Sequence, residues 1–489
     1  GQTIAANFGQ QGFTYTPPTG FKALNSANLP NPTILLPNKH FAAFTYTGTG
    51  SYGTDYTFTN SDVDFTPDWV WIKGRPVSQA HTLSDSVRGV AKQLNSASTD
   101  AEGTNAHRVN GFTQGGFVTG TDGLTNWPGR TFVAWNWNAG DTDGKTYTVK
   151  VVSDGGNKYR FDDFGTSAVT LDLAEGGTYI FDQSDSSNAG HPLRFSTTSN
   201  GTHGGGSEYT TGVTTSGTPG SSGAFTQIVV AASAPTLYYY CTNHSGMGGQ
   251  ANTNSTLGSS NFDGSIQTTV KASQSSGFSI VLYEGQGSSD ITLGHGLNAV
   301  PNVVLVKERT GTRAWIMYHS SLGANKYLQL ASTQVALTNT DLFGNTTPTS
   351  SVFTVSDNGT SDSGDDYVAY CFSEVAGYSK FGSYTGNGSS DGTFVFTGFR
   401  PAWVMLKRSS SGVFASWAIL DNKRDPVNVT SRGLFANSTT AEASSTLRNV
   451  DFLSNGFKLK TNHNNINGSG GEYIYLAFSE SPFKNARAR

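Results

Sequence analysis

The sequence predicts an all-β protein built of several sandwich domains, and three observations carry that prediction. Charged residues make up only 13% of the 489 residues while Gly alone reaches 59, which is not the profile of a helical protein. Aromatic residues make up 12%, enough large apolar surface to offset the entropy of ordering the chain. Short Thr/Tyr/Phe/Val runs alternate with Gly, Asn, Asp and Ser, the pattern of strands joined by tight turns. A chain of this length exceeds one hydrophobic core and is expected to split into about three or four domains.

Charge narrows the partners. The formal net charge is -4 with no long Lys/Arg run, so the electrostatic footprint for nucleic acid or an acidic membrane surface is missing. No stretch approaches the roughly 20 apolar residues of a membrane-spanning helix, and membrane insertion is not expected. The two cysteines, Cys241 and Cys371, fall in segments assigned to different domains, so no disulfide is expected between them.

A repeat sets the organisation. "FTYTGTG" from Phe44, "FTPDWVWIKGR" from Phe65 and "TFVAWNWNAG" ending at Gly140 form one copy. "IVLYEGQG" from Ile280, "AVPNVVLVKER" from Ala299 and "DYVAYCFSEVAG" from Asp366 form the second. "FGSYTGNG" from Phe381, "GFRPAWVMLKR" from Gly398 and "EYIYLAFSESPF" from Glu472 form the third. Each copy spans on the order of 100 residues, the size of one sandwich domain. In each, a proline (Pro67, Pro301, Pro401) precedes an alternating strand that places Trp69 and Trp71, Val303 and Leu305, or Trp403 and Met405 on one face. The basic residues closing that strand, Lys73, Lys307 and Lys407 among them, read as a solvated terminus, and Cys371 in the closing strand reads as an inert small hydrophobe.

These copies resemble the repeated concanavalin- or LamG-like (jelly-roll) sandwich domains of marine bacteriophage virion surface proteins. The residues that carry the resemblance are "YTGNG" at Tyr384, "WVWIK" at Trp69, "DSVRG" at Asp85, "NGF" at Asn455 and "YIYLAFSESPFK" at Tyr473. The opening "NFGQQGFTYTPPTGFKALNSANLP" looks like the last strand of a SPRY-like sandwich with its exit linker, which implies that Gly1 is not the biological start. The resulting division is an N-terminal segment over 1–40, sandwich repeats over 41–142, 275–376 and 377–484, and a different unit over 145–256.

Within 145–256, "LDLAEGGTYIFDQ" and "QIVVAASAPTLYYYC" read as two long strands of a smaller Greek-key sandwich, with His191 after the first and Cys241, His244 and Met247 after the second. This arrangement resembles the cupredoxins, in which one early His meets a Cys, a His and a Met from a tight loop after the last core strand. The resemblance implies a copper site in which the thiolate and two imidazoles are trigonal ligands and the thioether a weak axial one. Gly246, Gly248 and Gly249 are suited to turning that loop sharply. One departure stands out: where most cupredoxins place a residue with both a backbone N–H and a polar side chain after the first His, tying the two ligand loops, this chain has Pro192, which has no N–H.

Other candidates carry less. His203 lies in a Gly-rich stretch, "NGTHGGG", that reads as a mobile loop. The Asp-rich segment Ser356–Asp366 offers oxygen ligands for calcium but lacks a fixed ligand spacing. Trp127 in "NWPGR" is either a platform for stacking on a glycan or a lid on its own core. A nucleophile elbow, a zinc-helix pair or a distinctive carboxylate pair is not found, so no enzymatic activity is expected. The resemblance implies a virion surface protein, tail-fibre-like or head-decorating, outside the cell. It would meet other virion proteins and a host surface glycan or receptor, as a homo-oligomer with a trimer favoured. The alternatives are a copper-binding electron-transfer protein and a glycan-degrading tail-spike-like enzyme.

Overall fold

The computed structural model describes residues 31–50, 55–140, 144–254, 256–288, 290–410 and 415–485. The SPRY-like segment therefore lies, up to residue 30, outside the described residues; residues 31–40 lead through a single 3₁₀ turn, Pro37–Lys39, into the first repeat. The molecule is nearly all β, as expected.

The three copies share one topology. In the first, Phe41–Thr47 pairs with Thr131–Trp137, which pairs with Trp69–Gly74, which pairs with Thr82–Asp85, all antiparallel. The second has Phe278–Glu284, Asp366–Phe372, Val303–Glu308 and Ile316–His319 in the same spatial order, and the third has Ser379–Thr385, Glu472–Pro482, Phe399–Arg408 and Ala418–Asp421. In every copy the closing strand of the sequence lies between the first two. A smaller sheet covers one face of each, such as Tyr56–Thr59, Gly116–Thr119 and Val109–Thr113 in the first, and each sandwich has its own core between the two sheets.

The opposite faces of the main sheets join the three sandwiches. Trp69, Trp71, Trp135 and Trp137 of the first repeat, Phe278, Val303, Leu305, Tyr370 and Phe372 of the second, and Trp403, Met405, Leu476 and Phe478 of the third belong to one buried cluster. Trp69 stacks on Tyr370 at 4.4 Å, Trp137 meets Trp403 at 5.9 Å, and Phe372 meets Phe478 at 5.8 Å between ring centroids. Each main sheet is thus buried on both faces, which is why its strands read as nearly continuous apolar runs. Three sandwiches close on a common core.

Equivalent residues repeat around that closure. At the boundary of repeats 1 and 2, the Tyr370 hydroxyl donates to Asp85, Arg309 grips Glu102 with two hydrogen bonds, and Trp315 Nε1 donates to the Asn95 carbonyl at 3.0 Å. At the boundary of repeats 3 and 1, Trp135 Nε1 donates to Asp421 at 3.0 Å, Arg75 grips Glu442, and His81 Nε2 lies 3.0 Å from the Phe435 carbonyl. At the boundary of repeats 2 and 3 neutral residues stand where the other two have buried acids and arginines, and the charges that cross it are the Lys407 amine on the Thr333 carbonyl and the partly exposed pair Lys380–Glu374. His319 stands opposite Val303 as Asp85 stands opposite Trp69, Leu476 stands in the position of Tyr370, and Ala336 and Ser409 make the backbone bond that Glu102 makes with Arg309. The buried pairs Asp85–Arg88 and Asp421–Arg424 complete the two charged boundaries; removing one partner of such a pair leaves an uncompensated buried charge.

The strand-end lysines are a correction to the solvated termini expected from the sequence. Lys73, Lys307 and Lys407 are fully buried. All three bond carbonyls of their own hairpin, Lys73 that of Gly74 at 2.9 Å, Lys307 that of Glu308 at 2.6 Å and Lys407 that of Ala415, and Lys407 also reaches Thr333 of repeat 2 at 2.9 Å. With the sheet covered on both sides there is no solvent for the amine to reach.

The unit between the first two repeats is a separate sandwich of two five-stranded sheets, each with one parallel pair: Thr146–Ser153 with Thr178–Asp182, and Leu171–Asp172 with Gly249–Asn252. The two long strands expected here are each broken, and their halves cross to opposite sheets. The first breaks at Gly176–Gly177, where Gly176 has φ +79°, and the second between Val229 and Leu237, where Ser233 has φ 55°. Residues left between the predicted domains are also structured. Ser259–Asn261 and Thr268–Ser273 extend the main sheet of repeat 2, while Phe262 packs into the inserted unit's core and the Tyr147 hydroxyl donates to the Ser260 carbonyl at 2.9 Å. The insertion is seated on repeat 2 rather than tethered to it.

Candidate metal centre

Two loops of the inserted unit deliver the candidate ligands. His191 ends the loop that follows the Ser186–Asn188 turn; its N–H donates to the Asn188 carbonyl at 2.8 Å. Its own carbonyl accepts from the Tyr159 hydroxyl at 2.9 Å and from Gln183 Nε2 at 2.8 Å. Cys241 is the last residue of the strand Leu237–Cys241 and is fully buried, while His244 is exposed on the loop beyond it. Met247 returns to the core, in the same buried cluster as Cys241, and its carbonyl accepts the Tyr159 N–H at 2.9 Å. The glycines have separate reasons. Gly246 adopts φ +75°, and a Cβ on Gly248 would sit 1.7 Å from the Tyr239 carbonyl oxygen.

The donors converge. Cys241 Sγ lies 3.8 Å from His191 Nδ1 and 3.7 Å from His244 Nδ1, and all three donor atoms fall within 4.8 Å of one another. Two ligands bonded at about 2.0 and 2.3 Å to a shared ion, about 110–120° apart, are themselves separated by roughly 3.5–3.7 Å. The two Sγ–Nδ1 spacings therefore fit an ion shared between the thiolate and each imidazole. Burial and the neighbouring His244 hold the His191 imidazole below its usual range, the direction that favours the neutral ring a metal needs. Burial and contact with Cys241 push the Tyr159 phenol up, which keeps it a donor. A thiolate, two imidazoles and a thioether form a donor set suited to copper.

The ligand loops are tied together despite Pro192. Its carbonyl accepts the Thr242 N–H at 3.2 Å, and Asn243 Nδ2 donates to the Gly190 carbonyl at 2.9 Å. The Gly-rich stretch expected to be mobile is a docked 3₁₀ turn, Gly201–Gly204, and His203 Nε2 lies 3.0 Å from the Cys241 carbonyl. It docks because Gly201 lies flat on the Tyr240 ring, where a Cβ would come within 2.5 Å of the ring carbons. Asn200 was not a sequence candidate. Its one signal is position, an Asn before Gly in a loop, the residue type that tolerates the left-handed region it adopts at φ +61°.

The remaining candidates lie elsewhere. Trp127 is 48% exposed in repeat 1, and the Arg130 guanidinium covers its ring at 4.1 Å. In the Asp-rich segment, Asp362 pairs with Arg313 and Asp365 accepts from Thr310. Among the described residues, His191, Cys241 and His244 are the one set of three or more His, Cys, Asp or Glu side chains whose donors converge. Cys371 is buried, and burial pushes its thiol up; both cysteines are free.

A family described as a domain of unknown function (DUF7483) matches residues 36–158 and 250–482. The match covers the three repeats and passes over 159–249, the stretch that holds His191, Cys241, His244 and Met247. No curated protein and no solved structure matches the chain.

Proposed function

Because the chain belongs to the DUF7483 family through its three repeats, we propose that its task resides in the body those repeats form, and that the body is a non-enzymatic structural component of a phage virion surface. The supporting observation is that the repeats resembling marine phage virion sandwiches close on one shared core, giving a rigid body with loops and small sheets facing outward. On this reading the protein is extracellular and tail-fibre-like or capsid-decorating. It assembles with other virion proteins as a homo-oligomer, a trimer of chains favoured, and touches a host glycan or receptor. Immunogold electron microscopy on particles and cells of the source culture tests it. Label on tail fibres supports an adhesin, label over heads supports decoration, and bare particles beside labelled host envelopes refute the virion reading.

A second reading is supported by the ligand spacing at 3.7 and 3.8 Å. On this reading His191, Cys241 and His244 would hold one copper ion, with the Met247 thioether as a further candidate donor. Bound copper supplies a one-electron couple; the chain's residues hold it, shield the thiolate by burial and leave the His244 edge exposed. Titration of the metal-free chain with copper(II) is expected to reach one equivalent with intense visible absorption, both lost in Cys241→Ser. An absence of stoichiometric copper refutes it.

A further inference from the structure

We propose that Asn200 and His203 are positioning residues that clamp the Cys241–Met247 loop in its metal-binding shape from a third loop, adding to the tie that the Pro192 carbonyl makes with Thr242. The proposal rests on the copper-binding reading of the inserted unit.

Both ends of the Asn200 amide are engaged on the short stretch between His244 and Met247. Its Oδ1 accepts the Gly246 N–H at 2.8 Å, and its Nδ2 donates to Ser245 Oγ at 2.8 Å. Gly246 is where the chain turns through the left-handed region, so the amide holds the residue that sets the direction of the turn. His203 acts on the other end. A carbonyl oxygen only accepts, so the His203 proton sits on Nε2 and is donated to the backbone of Cys241 itself. Between these two contacts Gly201 seats the loop on Tyr240, the neighbour of Cys241. The loop closes on itself through Gly201 N–H to the Thr198 carbonyl and Gly206 N–H to the Gly201 carbonyl, so it meets the ligand loop as a preformed piece.

None of these contacts reaches a ligand atom. They act through backbone and side-chain bonds to residues 241, 245 and 246, fixing where Sγ and the His244 ring point. Partners of this outer kind typically change metal affinity by about 10–100-fold when removed.

The test uses the full chain, copper ions alone as the probe, and three variants: Asn200→Ala, Asn200→Asp and His203→Ala. Asn200→Asp keeps an oxygen acceptor for Gly246 and loses the donor to Ser245. Asn200→Ala is expected to weaken copper binding by about 10–100-fold, shift the visible absorption, and speed amide exchange at Gly246 in the metal-free chain. Asn200→Asp is expected to recover most of all three, and His203→Ala to shift the absorption. Asn200→Ala with unchanged Gly246 exchange overturns the clamp, as does copper affinity within twofold of a parent chain that does bind copper. If the parent takes up no copper, the copper reading falls, and Gly246 exchange in the metal-free variants alone decides whether the clamp exists.

Discussion

The Tyr370 hydroxyl donates to the Asp85 carboxylate at 2.6 Å across the boundary between repeats 2 and 1, with both side chains fully buried. The same carboxylate takes the Arg88 guanidinium. Tyr370→Phe leaves part of a buried carboxylate unsatisfied and is expected to destabilise the chain by about 1–3 kcal/mol. Asp85→Ala, which strips Arg88 of its closest partner, is expected to cost about 3–5 kcal/mol. Urea denaturation measures both, and equal midpoints for Tyr370→Phe and the parent would contradict this account.

Acid is expected to weaken the body through His319. Burial brings its imidazole down to about 4, so the folded chain keeps it neutral while the unfolded chain takes up a proton below its ordinary value near 6.5. The stability is fully present above pH 6.5 and is lost as pH falls toward 4, by about 3 kcal/mol for this one group. His81, held down to about 3, titrates in the same direction. The readout is therefore the difference in unfolding free energy between the parent and His319→Gln across pH 4–7. Parallel curves would remove His319 from the acid response.

Alkali is expected to do the opposite. Burial brings Lys407 down to about 7, and Lys73 and Lys307 down to about 8, in each case from 10.5. Between these values the unfolded chain binds more protons than the folded one, so stability rises with pH from about 7 toward 10. Lys407→Met should flatten the rise, at the cost of taking the Lys407 donor from the Ala415 carbonyl and leaving the Thr333 carbonyl with the Ala415 N–H. A parent chain whose denaturation midpoint falls steadily from pH 7 to 9.5 would refute the sign.

Gly201→Ala tests the seating of the clamp loop. At φ +53° and with the Tyr240 ring 2.5 Å from the added Cβ, the substitution is expected to cost about 1–3 kcal/mol in the inserted unit and to open residues 198–206 to limited proteolysis. Unchanged cleavage of that stretch would mean the loop does not depend on this contact.

Much of the fold was legible because a strand's period is two. "WVWIK" and "FVAWNW" announce strands through their own alternation, and the repeat order predicts which strands belong together. What covers their second face was not legible, because that depends on residues hundreds of positions away: nothing local to Trp69 tells of Tyr370. The lysines were misread for the same reason, since the hairpin and Thr333 carbonyls that receive them are properties of the closed body. At the metal centre the Cys-x2-His-x2-Met spacing reveals three ligand types, being set by one loop. Asn200 and His203 approach from some 40 residues upstream, and only the assembled sandwich shows that they touch that loop.

The common core also dictates an order of events. Strand Thr131–Trp137 lies in the first repeat, and its neighbour across the core, Phe478, lies about 340 residues later. During synthesis at about 5–20 residues per second, roughly 20–70 seconds pass between them. Through that interval the Trp69, Trp71, Trp135 and Trp137 face has no third repeat to cover it. It is the surface on which a nascent chain would aggregate or be held by a chaperone until the last strand arrives.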